Sequence, residues 1–236
     1  MSGITAILSP LFAFYDAVFQ PVLAFGPYIS LFFFSTLLAA LFSVIYWWLL
    51  DIERADRIKN KISKYQDRMK EARENDEEEK ASEHFKKTLQ LNQKFMMLNM
   101  KPMLVTMIFV ALLFPWLGAT YGPTIQMDQI NETSFEGTMT FAGQDEVIQA
   151  FETEDSMEYR IAGETFTDNI IRAYGMDWQI TSFEKTDTGA ELRANGRFVD
   201  LPVTLPLIGD AFNWLGFYIL IVMPMTFAFR KLLGVH

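Results

Sequence analysis

The chain has 236 residues, half of them apolar, with 29 acidic against 20 basic side chains and no cysteine, which excludes disulfides, thiolate metal sites and cysteine nucleophiles. Its charges are gathered into blocks separated by uncharged runs long enough to cross a bilayer, a pattern that excludes an ordinary water-soluble globule.

Residues 1–26 carry a single charge, Asp16. Ile4, Ile7, Leu8, Leu11, Phe12, Tyr15, Val18, Phe19 and Val22 recur at helical spacing, opposite a narrow stripe of Thr5, Ser9, Asp16 and Gln20. This predicts an amphipathic helix lying in the membrane interface, with Pro10 kinking it or marking its first turn. The segment has no basic residue and leads into a full-length span, so it is not expected to be a cleaved signal.

The first span is placed at 27–50, inside the uncharged run Leu23–Leu50. Thr36, Ala39, Ala40 and Ser43 share one face, with Tyr46 nearby. Small residues and hydroxyls of this kind serve close helix packing, or they line a mildly polar groove for a substrate.

Residues 51–101 change abruptly to charged helix formers. Ile58, Ile62, Tyr65, Met69 and Ala72 follow the alternating spacing of a coiled-coil seam, and Asn75 and Asp76 stand in capping-box register with Glu78 and Glu79. Two antiparallel helices are predicted, the second packing on the first through Phe85, Leu89 and Met96. Met96, Met97, Met100, Met103 and Met107 cluster where that helix meets the second span, at 102–120. They either fill the helix pair and membrane boundary or form an adaptable apolar surface for varied hydrophobic partners.

Residues 121–209 form an acidic segment with strand-like runs at 134–141, 177–183 and 190–199, and two short helices expected at 144–151 and 166–174. A small α+β or mostly β domain is predicted. Asn131, Glu132 and Thr133 make an N-glycosylation acceptor sequence. A third span at 210–229 precedes a short tail, 230–236, and Pro115 and Pro224 are expected to bend spans two and three.

Segment 51–101 holds 13 basic and 11 acidic residues, whereas 119–210 holds 5 and 17, and Arg230 and Lys231 begin the tail. The positive-inside rule then places the N-terminus outside, the hairpin and C-terminus in the cytoplasm, and the acidic domain outside the cell membrane. The acidic domain would repel nucleic acid and anionic lipid.

No catalytic site is visible. His84 in the predicted hairpin helix and His236 as the final residue offer no metal-ligand spacing and no obvious base for a triad, no phosphate-binding glycine motif occurs, and the spans contain no ionisable residue for a proton relay. No enzyme activity, cofactor or metal is expected.

The stretch KFMMLNMKPMLVTMIFVALLFPWL (Lys94–Leu117), preceded by a charged helical hairpin and an N-terminal-out span, resembles the archaeal YidC-like proteins of the Oxa insertase superfamily, as does WLGFYILIVMPMTFAFRKLLGV (Trp214–Val235). Relatives include the third subunit of the membrane protein complex of the endoplasmic reticulum. The resemblance implies a membrane protein insertase in which three helices enclose a groove open to cytoplasm and lipid, and a coiled coil reaches toward the ribosome or nascent chain, with a partner subunit conceivable. Thr36, Ser43, Tyr46 and Thr106 would supply polar contacts in the groove and the Met cluster would hold the apolar segment. Bacterial members place an Arg within the groove; here Arg54 and Arg230 stand at the cytoplasmic boundary instead. The competing readings are a membrane-anchored scaffold or receptor and, more remotely, an ion channel.

Overall fold

The computed structural model describes residues 3–154, 156–205 and 209–234, with backbone alone for 3–8, 203 and 205. His236 lies outside the described residues. Two compact units are present, one running up to Leu38 and resuming over Leu112–Pro224, the other comprising Ala39–Ala111 and the segment from Met225.

Five helices occur among the described residues: α1 (Gly3–Leu23), α2 (Pro27–Leu49), α3 (Ile52–Glu74), α4 (Glu78–Tyr121) and α5 (Trp214–Leu232). α2, α4 and α5 are long and apolar enough to cross a membrane. Pro27 opens α2, where its fixed φ suits a first helical turn and its missing N–H costs nothing. α1 stays one helix through both Pro10 and Pro21. Hairpin helix and second span are not separate elements: α4 continues for 44 residues through Lys101 and Pro102. Hydropathy changes at residue 102, yet the helix runs on, although Pro102 has no N–H to give to the ladder.

In the second unit, Asp51 caps α3 by accepting from the Arg54 backbone N–H at 2.9 Å. All five seam residues expected on α3 are buried or half-buried, from Ile58 to Ala72. The partner face on α4 differs from expectation. Ala81, His84, Thr88, Leu91 and Phe95 are among its buried or half-buried positions, while Phe85, Leu89 and Met96 are exposed. The tight turn at residues 75–77 sets the phase, bringing the His84 ring to 5.8 Å from Tyr65 and turning Phe85 outward.

In the first unit, eight antiparallel strands form one sheet in the order β5-β4-β3-β2-β1-β8-β7-β6, with β1 (Thr124–Asn131), β2 (Ser134–Phe141), β3 (Gln144–Glu152), β4 (Met157–Ile161), β5 (Glu164–Phe166), β6 (Ile170–Ala173), β7 (Met176–Thr186) and β8 (Gly189–Gly196). The sheet curls until β4 and β6 come into contact, giving a barrel-like body. Alternation is clean on its inner face: Met176, Trp178 and Ile180 on β7, and Ala190, Leu192 and Ala194 on β8, are buried.

Both expected helices in this domain are strands. Residues 144–151 lie in β3, because Ala142 and Gly143 at φ 55° and 76° form a tight two-residue turn that folds the chain back onto β2. Residues 166–174 span β5 and β6, and Tyr174 and Gly175 at φ 53° and 75° make the same turn into β7. The third helix starts four residues later than expected and runs to Leu232, since residues 209–212 form β10, paired with β9 (Val199–Leu205).

Candidate functional site

α4 presents an uncovered apolar surface that runs along the hairpin. At 100° per residue, Phe85, Leu89, Met96, Met100, Met103 and Met107 fall within about 60° of one another, and they extend over about 33 Å. Each is 47–70% exposed, as is Met97 on the flank of the stripe. The five methionines therefore do not fill the helix-pair core. Phe85 and Leu89, read in the sequence as packing residues, instead extend the methionine surface along the hairpin.

The expected groove hydroxyls are mostly engaged within their own helices. Ser43 is buried and donates to the Ala39 carbonyl at 2.7 Å, and Thr106 donates to Met103 at 2.9 Å. The Thr36 hydroxyl on α2 is buried with no hydrogen-bond partner. Tyr46 is met by Arg230, whose guanidinium lies 4.6 Å from the ring centroid, while its Nε is buried and unbonded. A cation in α5's last turn is thus drawn onto the face of an α2 aromatic, an attraction that strengthens as water is removed. Arg54 is exposed in the first turn of α3. Asn131 sits in the β1–β2 turn.

In the first unit the helix ends next to the sheet domain are fastened to one another and to that domain. Ser30 and Tyr121 share a 2.7 Å hydrogen bond between α2 and α4. Phe198, between β8 and β9, touches Tyr28 of α2, Tyr121 of α4 and Phe217 of α5 with ring centroids 5.4, 5.8 and 5.2 Å apart. Arg197 beside it bonds Gln179, Asp200 and Asp210, and its carbonyl accepts from Tyr28 at 3.2 Å. Burial works against the Arg197 charge, but Asp200 and Asp210 outweigh it and raise the group above its ordinary value. α1 packs its Tyr15 and Phe19 rings on Trp116, each at 5.5 Å. A cavity of about 370 Å³ lies beside them, lined in part by Phe12, Asp16, Gln20, Trp116 and Phe141.

The contacts that tie α1 and α2 to α4, and Phe198 to Tyr28 and Tyr121, were not legible in the sequence, because they join residues 77 to 170 positions apart in regions without a motif. The aromatic richness of the junctions was the available signal. Among the described residues no three acidic, histidine or cysteine side chains gather as a metal site would.

Three apolar helices joined to a β-rich domain and a charged helical pair define a multi-pass integral membrane protein. Residues 14–140, more than half the chain, match the family of integral membrane proteins described as EMC3/TMCO1-like, and the chain belongs to that family. The family falls in the Oxa1/YidC/Alb3 insertase-related group, which ties this protein to membrane protein insertion. No curated protein and no solved structure matches the chain.

Proposed function

We propose that this protein is a membrane protein insertase of the archaeal YidC-like kind, receiving hydrophobic segments of nascent proteins from the cytoplasm and passing them into the cell membrane without covalent chemistry. The observation that carries this reading is the exposed stripe on α4. Its length of about 33 Å is that of one transmembrane helix, since roughly 20 residues at 1.5 Å each span 30 Å. Unbranched methionine side chains accommodate segments of unlike shape, as a carrier of many clients requires. Because α4 is unbroken from Phe85 into its apolar half, a segment held on the hairpin is guided along one continuous surface toward lipid.

Two further features support entry. The uncharged part of α5, Trp214–Phe229, is only about 24 Å long as a helix, short of a bilayer's roughly 30 Å hydrocarbon core. A span this short favours local thinning, which lowers the cost of moving a client's polar flank. Arg230 on Tyr46 offers that flank a cation, the Thr36 hydroxyl continues the polar line along α2, and exchange of the Ser43 and Thr106 bonds would supply further polar partners. In this reading the N-terminus and sheet domain are outside, the hairpin and C-terminus are cytoplasmic, and the hairpin approaches the ribosome.

The test is photocrosslinking during translation of a short model membrane protein, from probes at Phe85, Met100 and Ser43. Lys94, half a turn away on α4, and Thr188 in the sheet domain are the controls. Crosslinks to the nascent hydrophobic segment from the first three positions alone are expected. Equal crosslinking from Lys94, or none from Phe85 and Met100, overturns the proposal and favours a scaffold.

A further inference from the structure

We propose that Asn131 carries an N-linked glycan, attached through its Nδ2 at the tip of the sheet domain farthest from the membrane. The inference rests on the outward placement of that domain in the proposed topology. Asn131-Glu132-Thr133 is the only acceptor triplet in the chain; Asn169, Asn195 and Asn213, the other asparagines of the domain, are followed two residues later by Ile, Arg and Leu.

A triplet of this kind also arises by chance, and its placement in the fold distinguishes a usable one. It closes the hairpin between β1 and β2, and all three of its residues are exposed. The Asn131 carbonyl oxygen Oδ1 accepts the Thr133 backbone N–H at 3.0 Å and faces the Thr133 hydroxyl at 3.4 Å. The hydroxyl that the acceptor sequence requires is therefore already on the amide to be modified. Among the described residues nothing bonds to Nδ2, so the nitrogen that would carry the sugar is free while the other half of the amide is held.

Topology adds reach. β1 starts three residues after α4 ends at Tyr121, and its eight residues rise about 25 Å to Asn131. A bulky, hydrated glycan at that tip clears both the lipid surface and the Phe198 junction, which lies at the opposite, membrane-connected end of the sheet.

The reaction needs a lipid-linked sugar pyrophosphate and a transferase on the outer side. The Asn131 Nδ2–C1 bond forms as the sugar C1–O bond to phosphate breaks. The nitrogen gives one proton to a base of the transferase, the lipid pyrophosphate leaves, and no electrons are exchanged.

The experiment uses full-length protein isolated from native cells in which another acceptor protein is shown to be glycosylated, with peptide mapping by mass. The peptide containing Asn131 is expected to carry a sugar mass in the native protein and in Thr133→Ser, and to lose it in Thr133→Ala and Asn131→Asp. Asn131→Asp keeps the oxygen that accepts in the turn, so the domain is retained while the amide nitrogen is removed. Because the chain has no cysteine, Thr188→Cys labelled on intact cells with a membrane-impermeant maleimide reports the side of the membrane independently. Labelling at 188 with an unmodified Asn131 peptide overturns the glycan and leaves the topology standing. Absence of labelling at 188, with labelling restored when the cells are opened, overturns the topology and the glycan together.

Discussion

The indole Nε1 of Trp116 donates a 2.8 Å hydrogen bond to Asp16, the only charged side chain in the first 50 residues, across 100 positions of sequence. This bond explains why an otherwise uncharged amphipathic helix keeps a carboxylate. Trp116 is 1% exposed, and removing its acceptor leaves a buried donor unsatisfied at a cost of about 1–3 kcal/mol. Asp16→Ala is expected to lower the thermal midpoint of the detergent-solubilised protein, whereas Asp16→Asn, which keeps an acceptor oxygen, retains most of it. Equal midpoints for the two variants would remove the bond from any role in holding α1.

Phe198 holds the sheet domain to three helices at once, through Tyr28, Tyr121 and Phe217. Truncating a buried aromatic costs about 3–5 kcal/mol. Phe198→Ala is expected to destabilise the whole protein and Phe198→Leu to do so by less, read from the unfolding midpoint. The sheet domain is accordingly no detachable appendage, and its deletion is expected to unfold the helix ends that it covers.

Arg230 over Tyr46 predicts a graded series in an insertion assay. Tyr46→Phe keeps a ring face for the guanidinium and is expected to remain near wild type, whereas Tyr46→Ala loses a cation–π contact of about 0.5–2 kcal/mol. Arg230→Leu removes the charge itself and is expected to slow insertion of clients with acidic flanks more than those with neutral flanks. Equal effects on both client types would show that the charge does not contact the flank.

Alkaline pH probes the sheet domain. The Tyr174 hydroxyl donates between the Met139 and Gln144 carbonyls, and burial first, then the nearby Glu146 and Asp145 charges, push it up to about 12. Burial raises Tyr159 in the same direction. An unfolded tyrosine titrates near 10, so the fold favours the protonated form. The stabilisation is fully present below about pH 10 and is lost as pH rises toward 12. Tyr174→Phe is expected to be less stable at neutral pH but to show a shallower decline over that interval, measured by unfolding at fixed temperature.

Local sequence carried the parts governed by local physics. Three apolar runs and the α3 seam from Ile58 to Ala72 were readable because helix formation and bilayer solvation depend on residues near one another in the chain, whereas Asn75, read as opening the second helix, instead caps the end of α3. The methionine cluster was visible too, but not its extension to Phe85 and Leu89, since the phase of α4 depends on how the turn at 75–77 docks it against α3. Residues 144–151 were misread for a related reason: their composition permits helix or strand, and the Ala142–Gly143 turn together with pairing to β2 settles the choice.

By itself the sequence determined that this is a membrane protein with three spans, a charged helical pair and an acidic domain, because hydrophobic length and charge placement are set residue by residue. Tertiary structure alone decided that Asp16 meets Trp116, that Phe198 joins the sheet to α2, α4 and α5, and that Arg230 lies on Tyr46. Those contacts depend on burial between elements distant in the chain, where shape and the need to satisfy each buried polar group act only once the elements have come together.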